Sequence, residues 1–391
     1  MKCKFCGGSD FINLNNVVAL NYVNSTLPIK AVPVSIKVDV CTSCGLGVNH
    51  TPLSREEYNQ IYNNFFYFAY YFDDVFKKYF YIDDISFFVK HIPNIDSKVV
   101  ELGCHDGHLL YMIQEYQKQH GNGNFTNLMG IEPSPNADIG IAHGLHIEKA
   151  YFKPDYFKDN EKVDVFISRC FFEHLEEPFE MFKAMLDSLS DNGKIIMKVP
   201  NFTGYELTHL YYYSWPFLEK MAARYNAKII DCLIKYQEIW NAEEITVVIS
   251  HKDAEYPEIK CPFDIEYTVK HEKQHILEDK KLFSMDCIEM EKFMRDKENV
   301  YFLGTSIHAP YYLTVLNKMK VKTNIIPVDI LQNRKGYELP YCNNPVILLS
   351  DLKGKNIDAM VINGHNKEDI LSKLNKYNIS IENIFYTKFL I

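Results

Sequence analysis

Three things are scarce in this chain, and each scarcity excludes something. Positive charge is in deficit: 42 Lys and Arg stand against 51 Asp and Glu, a formal net charge of -9. A general nucleic-acid or acidic-membrane binder needs a cationic face, so neither partner is expected. Long uncharged apolar runs are missing, as is a secretory segment behind Met1, so the chain reads as a cytoplasmic protein without a membrane span. Disulfide-framework spacing is missing too. Of ten cysteines, four form two C-x-x-C pairs and six are scattered. What remains is a chain of 391 residues, 47% hydrophobic and 14% aromatic with 27 Tyr. That is enough for two or three cored domains, with aromatic rings to spare for a pocket.

The two pairs are Cys3-Lys-Phe-Cys6-Gly and Cys41-Thr-Ser-Cys44-Gly. Two thiolates three positions apart grip one zinc ion, and the following glycine lets the chain turn around it. Two such knuckles complete a tetrahedral site, structural rather than catalytic because sulfur fills all four positions. The alternative is four unrelated thiols. Val34, Ile36, Val38 and Val40 alternate with polar residues, which predicts a strand entering the second knuckle. From Ser54 to Pro93 the chain looks helical and is crowded with rings, including Tyr58, Tyr62, Phe65, Tyr67 and Tyr70. They are either a buried cap or a lid offering phenols to a substrate.

Val99 to Gly107 reads VVELGCHDG, an apolar run ending in a tight glycine turn, with a helical segment from His108. Strand, glycine turn and helix let backbone amides face a nucleotide-like ligand. This turn is not G-x-G-x-x-G, and the glycine turn at Gly304 matches neither that pattern nor a P-loop. Glu101-Leu-Gly103-Cys-His-Asp106-Gly107 resembles motif I of the class I S-adenosylmethionine (SAM) methyltransferases. Asn127 to Ile131 predicts a second strand ending at Glu132-Pro133, where a carboxylate can accept two hydrogen bonds from a ribose diol. His146 to Phe152 predicts a third strand, with Tyr151 and Phe152 as candidate flanks for the adenine. Val163 to Ser168 predicts a fourth, followed by Arg169, Cys170 and His174. Pro178 to Leu189 has helical spacing, and Lys194 to Val199 predicts a fifth strand. Strands alternating with helices imply an α/β fold with a parallel sheet, whose ligands sit at the carboxyl ends of the strands. His174 there is either a helix-start residue or a site residue. Tyr205-Glu206-Leu-Thr-His209 and the three tyrosines that follow are either an exposed aromatic turn or a proton-moving, polyhydroxyl-binding element.

Along nearly its whole length the chain resembles one family, the SAM-dependent sugar C-methyltransferases of nucleotide-linked keto-deoxysugars. Gly130-Ile-Glu-Pro133 is similar to that family's GIEP stretch, His174 to its histidine after the fourth strand, and His209-Leu-Tyr-Tyr-Tyr-Ser214 to its second histidine before an L-x-Y-x-S turn. Phe65 to Tyr70 loosely resembles its Y-x-Y element, and Lys335-Gly336 and Pro340 its K-x-G…P segment. Two places differ: Leu207-Thr208-His209 stands where the family has H-E-H, and Asn241-Ala-Glu-Glu244 replaces an H-G-G-S-type element. The resemblance implies a zinc-binding module with the aromatic lid over residues 1–72, a class I Rossmann-like methyltransferase domain over 73–255, and a Rossmann-like carboxyl-terminal domain over 256–391. It implies SAM and structural Zn2+ as cofactors and a nucleotide-sugar as substrate. The expected oligomeric state is a monomer or weak dimer.

Cofactor contacts are then expected from Glu101, Gly103, Asp106, Gly107, Glu132, Pro133, Tyr151, Phe152, Ser168, Arg169 and Cys170. His209 is the expected base, aided by His174, Tyr205, Glu206, Tyr67 and Tyr70, and Cys3, Cys6, Cys41 and Cys44 are the expected metal ligands. Two other functions stay open. One is O-methylation of a sugar hydroxyl, and the other is a non-enzymatic zinc-ribbon scaffold with a vestigial SAM fold. Lys252 to Lys281 reads as a linker running into a helix up to Arg295, and Asn299 to Gly304, Asn324 to Asp329, Pro345 to Leu349 and Ile357 to Ile362 as further strands. His308, after the turn at Gly304, fits a helix-start role or a pocket role.

Overall fold

Strand β4 (Val99–Leu102) is buried at every position. A strand with apolar or satisfied side chains on both faces belongs in the middle of a covered parallel sheet. The computed structural model places it there. It describes residues 2–20, 33–56, 82–121, 123–154, 156–157, 161–202, 208–237, 242–305, 309–364 and 367–388. The aromatic stretch from Tyr58 to Tyr71, with Tyr67 and Tyr70, lies outside the described residues, as do Tyr205, Glu206 and His308.

Around β4 runs a seven-stranded sheet. Its other members are β5 (Leu128–Ile131), β6 (Ile147–Glu148), β7 (Val163–Arg169), β8 (Leu189–Pro200), β10 (Ala227–Gln237) and β11 (Ala242–His251). The spatial order is β10-β11-β8-β7-β4-β5-β6. From β6 to β8 every pairing is parallel, and β11 joins β8 antiparallel. Helices α1 (Ile82–Lys90), α2 (His108–His120), α3 (Ala137–Ala142), α4 (Pro178–Ser188) and α5 (Trp215–Arg224) make the crossovers and cover the faces. Strand order reverses between β4 and β7, so the ligand crevice lies at their carboxyl ends. This is the α/β, class I methyltransferase type of parallel sheet that the motif order predicts.

Three strands differ from their expected lengths: the one expected over Pro345 to Leu349 is Ile347–Leu348 alone, because a 3-10 turn begins at Leu349, and the other two are the third and fifth expected strands of this sheet. The third is Ile147–Glu148 alone, because the chain turns at Ala150, whose amide donates back to the Glu148 carbonyl at 3.0 Å. The fifth already begins at Leu189. Its register jumps from Val163↔Leu189 to Val165↔Lys194, so Asp191-Asn-Gly193 bulges out of the ladder.

The amino-terminal module is a four-stranded antiparallel sheet, β1-β2-β3-β9, with β1 Phe11–Leu20, β2 Pro33–Cys41, β3 Gly47–Asn49 and β9 Tyr211–Tyr212. Its last strand comes from the tyrosine run beside His209. Tyr211, Tyr212 and Tyr213 are all buried. They are packing residues, which corrects the view of this run as a polar, substrate-facing element. Other ties reinforce the join. The Phe5 ring packs on Phe179 and Phe217 at 5.1 and 5.0 Å, and the Arg224 guanidinium lies 4.7 Å over it.

At the carboxyl end, α6 (Ile265–Met294) starts at Asp264, whose side chain accepts from the Tyr267 amide at 2.7 Å. It leads into β12 (Asn299–Leu303), α7 (Ala309–Lys318), β13 (Asn324–Asp329), β14 (Ile347–Leu348), β15 (Asn356–Ile362), α8 (Lys367–Lys376) and β16 (Ser380–Tyr386). These strands form a wholly parallel sheet ordered β14-β13-β12-β15-β16. It too reverses beside its first strand, the Rossmann-like arrangement. Among the described residues no helix is long and apolar enough to cross a membrane.

Candidate active site

The turn after β4 holds the chain in left-handed conformations at three of its five residues: Gly103 (φ 67°), His105 (φ 55°) and Gly107 (φ 75°). At Gly103 a Cβ would meet the Phe171 ring at 2.5 Å, and at Gly107 it would meet Leu145 and Ile147 at 2.6 and 2.8 Å. Both positions therefore require glycine on conformation and on space. Cys170, at the tip of β7, is also left-handed (φ 46°), although it is not a glycine. Such strain gathers where a fold must aim backbone at a ligand.

Three carboxylates converge here. Asp106 accepts from the His108 amide at the start of α2 at 3.1 Å. Glu132, after β5, accepts from the His105 amide at 3.1 Å and the Ser134 amide at 2.8 Å, which fixes it against the turn. Glu101 is fully buried. Burial pushes its carboxyl well above the usual range, and the charges of Asp106 and Glu132 add to that while Arg169 opposes it. A buried acidic group of this kind suits a ligand that brings positive charge and vicinal hydroxyls, and SAM carries a sulfonium, an ammonium and a ribose diol. Ser168 and Arg169 close the end of β7, with Ser168 directly across the ladder from Leu102. Pro133 is exposed beside Glu132. The two adenine-flanking candidates part company. Tyr151 is 73% exposed, whereas Phe152 is a core residue packed 5.7 Å from both Phe166 and Tyr156. Phe152 thus belongs to the interior, drawn there because a ring after so short a strand finds apolar neighbours on the inner face.

Beyond β7, the 3-10 turn Phe172–His174 brings His174 to His209, the two ring centroids 4.7 Å apart and nearly perpendicular. Polar tips of Glu173, His174 and His209 all lie within 4.8 Å of one another. Burial lowers the His174 imidazole from its ordinary 6.5 to about 4, so it is neutral at physiological pH. Its Nδ1 faces the Thr208 carbonyl at 3.3 Å. The backbone of His209 is held from the amino-terminal module, since Asn49 Nδ2 donates to its carbonyl at 3.1 Å. The next amide, Leu210, donates to the Glu173 carbonyl at 2.8 Å. Sequence reasoning missed this link to His209, since nothing in the local sequence of Asn49 marks it.

Behind the site lies a second group absent from the sequence-based list. Lys198, buried near the carboxyl end of β8, pairs with Asp84 of α1 and, at 2.6 Å, with Glu244 of β11. The Cys170 thiol faces Glu244 at 3.8 Å, and burial pushes that thiol above its ordinary range. A lysine inside the apolar run Ile195-Ile-Met-Lys198-Val was the available signal.

The four cysteines meet as the spacing predicts. Cys3 and Cys44 sulfurs lie 3.6 Å apart, Cys6 and Cys41 sulfurs 3.5 Å apart, and all four fall within 4.8 Å. A tetrahedral zinc with Zn–S near 2.3 Å holds sulfurs about 3.8 Å apart, so these residues can take one Zn2+.

A family model described as a methyltransferase domain matches residues 74–231. No curated protein matches the chain in sequence. Among solved structures, it is similar to an S-adenosylmethionine-dependent methyltransferase from Clostridium acetobutylicum (13% identity over 43% of this chain and 89% of that one, TM-score 0.33). It is also similar to a 1,6-didemethyltoxoflavin-N1-methyltransferase from Burkholderia thailandensis solved with S-adenosylhomocysteine (12% identity over 53% and 96%, TM-score 0.41). The matched stretch spans the strained glycine turn, the acidic cradle and both ends of the crevice, so residues 74–231 of this chain form a methyltransferase domain.

Proposed function

We propose that the protein methylates a carbon of a nucleotide-linked keto-deoxysugar, with His209 as the base that generates the enolate. One observation carries the reading. His209 and His174 pack together just past the carboxyl end of β7, beside the crevice where an acceptor must lie to meet the donor. SAM, when bound, supplies the activated methyl for an in-line displacement. The protein's own residues align the acceptor and move a proton. A hydrogen beside a carbonyl is weakly acidic, so its removal needs a neutral imidazole within reach, and the resulting oxyanion needs hydrogen-bond donors. In this proposal His174 orients the sugar, Tyr205, Tyr67 or Tyr70 donates to the enolate oxygen, and Glu206 stands in for the family glutamate. The four-cysteine site takes structural Zn2+ and keeps the module that carries Asn49 in place.

A second reading is O-methylation of a sugar hydroxyl by the same histidine. It is favoured by Leu207-Thr208, which occupy the place of the family's His-Glu pair before His209. Incubation with a keto-sugar nucleotide in deuterated water without SAM separates the two. Enolisation predicts deuterium at the carbon beside the carbonyl, lost in His209→Ala. Label from SAM recovered only in a methoxy group, with no such exchange, overturns C-methylation.

A further inference from the structure

Just past the carboxyl end of β7 the chain reads Glu173-His174, and much later it returns with His209. The fold clamps the two segments together. The Leu210 amide donates to the Glu173 carbonyl at 2.8 Å, and the Tyr213 hydroxyl donates to the Phe172 carbonyl at 3.1 Å. One carboxylate and two imidazoles are thereby gathered in the interior, with Glu173 only 1% exposed and His209 4%. Each offers a ligand atom, and the three atoms lie within 4.8 Å of one another. Donors around a tetrahedral zinc stand about 3.3 Å apart, so no pair has to close by more than about 1.5 Å.

The donor set fits a cation of the zinc class. Two histidines and a glutamate hold zinc in open sites, where the fourth position is left to water or substrate. Magnesium and calcium prefer oxygen ligands alone. The rings are also aimed. His174 Nδ1 lies 3.3 Å from the Thr208 carbonyl, which can only accept, so that nitrogen carries the proton and Nε2 holds the lone pair a metal needs. The His209 ring packs edge to face against both His174 (4.7 Å) and Tyr212 (5.9 Å), and Asn49 fixes its carbonyl. A carboxylate as deeply buried as Glu173 is stabilised by positive charge brought close to it, which a divalent ion supplies.

We propose that Glu173, His174 and His209 form a second metal site, for a zinc-class divalent cation, on the acceptor side of the methyl-transfer crevice. It differs from the four-cysteine site in ligand chemistry and in place. Occupancy also silences the base. An imidazole bound through one nitrogen keeps its proton on the other, so metal-bound His209 has no lone pair with which to take a proton from the acceptor. This inhibition rests on the reading of His209 as base; the site itself does not. Soft thiolates take zinc ahead of the mixed set, so the second site responds to cation beyond the equivalent the cysteines hold.

Cobalt is the probe, added to the full-length protein with zinc already on the cysteines and S-adenosylhomocysteine present. The expected result is one equivalent of Co2+ giving visible ligand-field bands without the near-ultraviolet thiolate charge transfer of a cysteine site. The double variant His174→Ala/His209→Ala binds one equivalent fewer, and Glu173→Gln binds that equivalent at least about tenfold more weakly. Unchanged cobalt stoichiometry in the double variant, or unchanged affinity in Glu173→Gln, overturns the site. S-adenosylhomocysteine binding by each variant, measured in parallel, reports that it is folded. In wild type, label transfer from SAM to a keto-sugar nucleotide should fall at least about tenfold as the second equivalent binds, and recover when that equivalent is dialysed away. Full transfer with the site filled overturns the inhibition and His209 as the base together, while the cobalt spectrum still decides the site.

Discussion

At the scale of single residues, Gly103 carries the sharpest expectation. Alanine there must hold φ near 67° and push its Cβ into the Phe171 ring. The left-handed penalty alone is about 1–2 kcal/mol, so Gly103→Ala should lower the melting temperature and weaken S-adenosylhomocysteine binding by roughly tenfold or more, read by calorimetry. His174 gives a pH signature. Its folded pKa is depressed from 6.5 to about 4, so above about pH 6.5 neither state is charged and the burial is free of penalty. As pH falls from there toward 4, the unfolded chain takes up a proton that the folded protein refuses, and stability drops, by up to about 2 kcal/mol at pH 5. Urea midpoints should fall between about pH 7.5 and pH 5, and fall less in His174→Asn. What could be read residue by residue from sequence was whatever chemistry forces locally. Gly103 and Gly107 were legible because a tight left-handed turn demands glycine at those positions, and Glu132 was legible as the residue that closes the second strand. The meeting of His174 with His209 rested on resemblance, since no local pattern joins residues so far apart in the chain. Phe152 and Tyr151 looked alike in sequence, and a strand two residues long sent one inward and the other out.

Elements show where pairing between distant segments outweighs local pattern. Val163 to Ser168 was readable as a strand because Val163, Val165, Phe166 and Ile167 crowd apolar and β-branched side chains into it, whereas β9 was not, since two tyrosines after a leucine fit a turn equally well. Its partner β3 settles the matter: Gly47 pairs with Tyr212 and Val48 with Tyr211. Disturbing that seam should reach the site without touching SAM. Asn49→Leu removes the donor to the His209 carbonyl and is expected to lower kcat by about tenfold or more while S-adenosylhomocysteine affinity stays within about twofold. The Lys198 group ties α1, β8 and β11 together in the interior. Lys198→Met removes the buried cation between Asp84 and Glu244, leaving Lys235 at 3.9 Å from Asp84, a loss of up to about 3–5 kcal/mol. Denaturant unfolding measures it, and Glu244→Gln in the same background should recover part of the loss.

Across the whole molecule, a mixed seven-stranded sheet precedes α6 in the chain and a parallel five-stranded sheet with the same order of first strands follows it, and a small antiparallel module is stitched to the first of them. Alternation of strand and helix made both parallel sheets predictable, but which strand finishes the amino-terminal sheet depends on contacts that no local pattern encodes. If zinc holds that module, a strong chelator should loosen Phe5 from Phe179 and Phe217 and release Asn49 from His209. The expected outcome is loss of methyl transfer with S-adenosylhomocysteine binding retained, restored by added zinc; a simultaneous loss of both activities would argue against a module-limited effect. The seam between β3 and β9 also sets a timetable for synthesis. Val48 leaves the ribosome early, and Tyr211 only some 160 residues later, which at ordinary elongation rates is about ten to thirty seconds. Throughout that interval the nascent module has an open β3 edge awaiting its fourth strand. A chain stalled before Tyr211 should therefore aggregate or recruit chaperones at that edge.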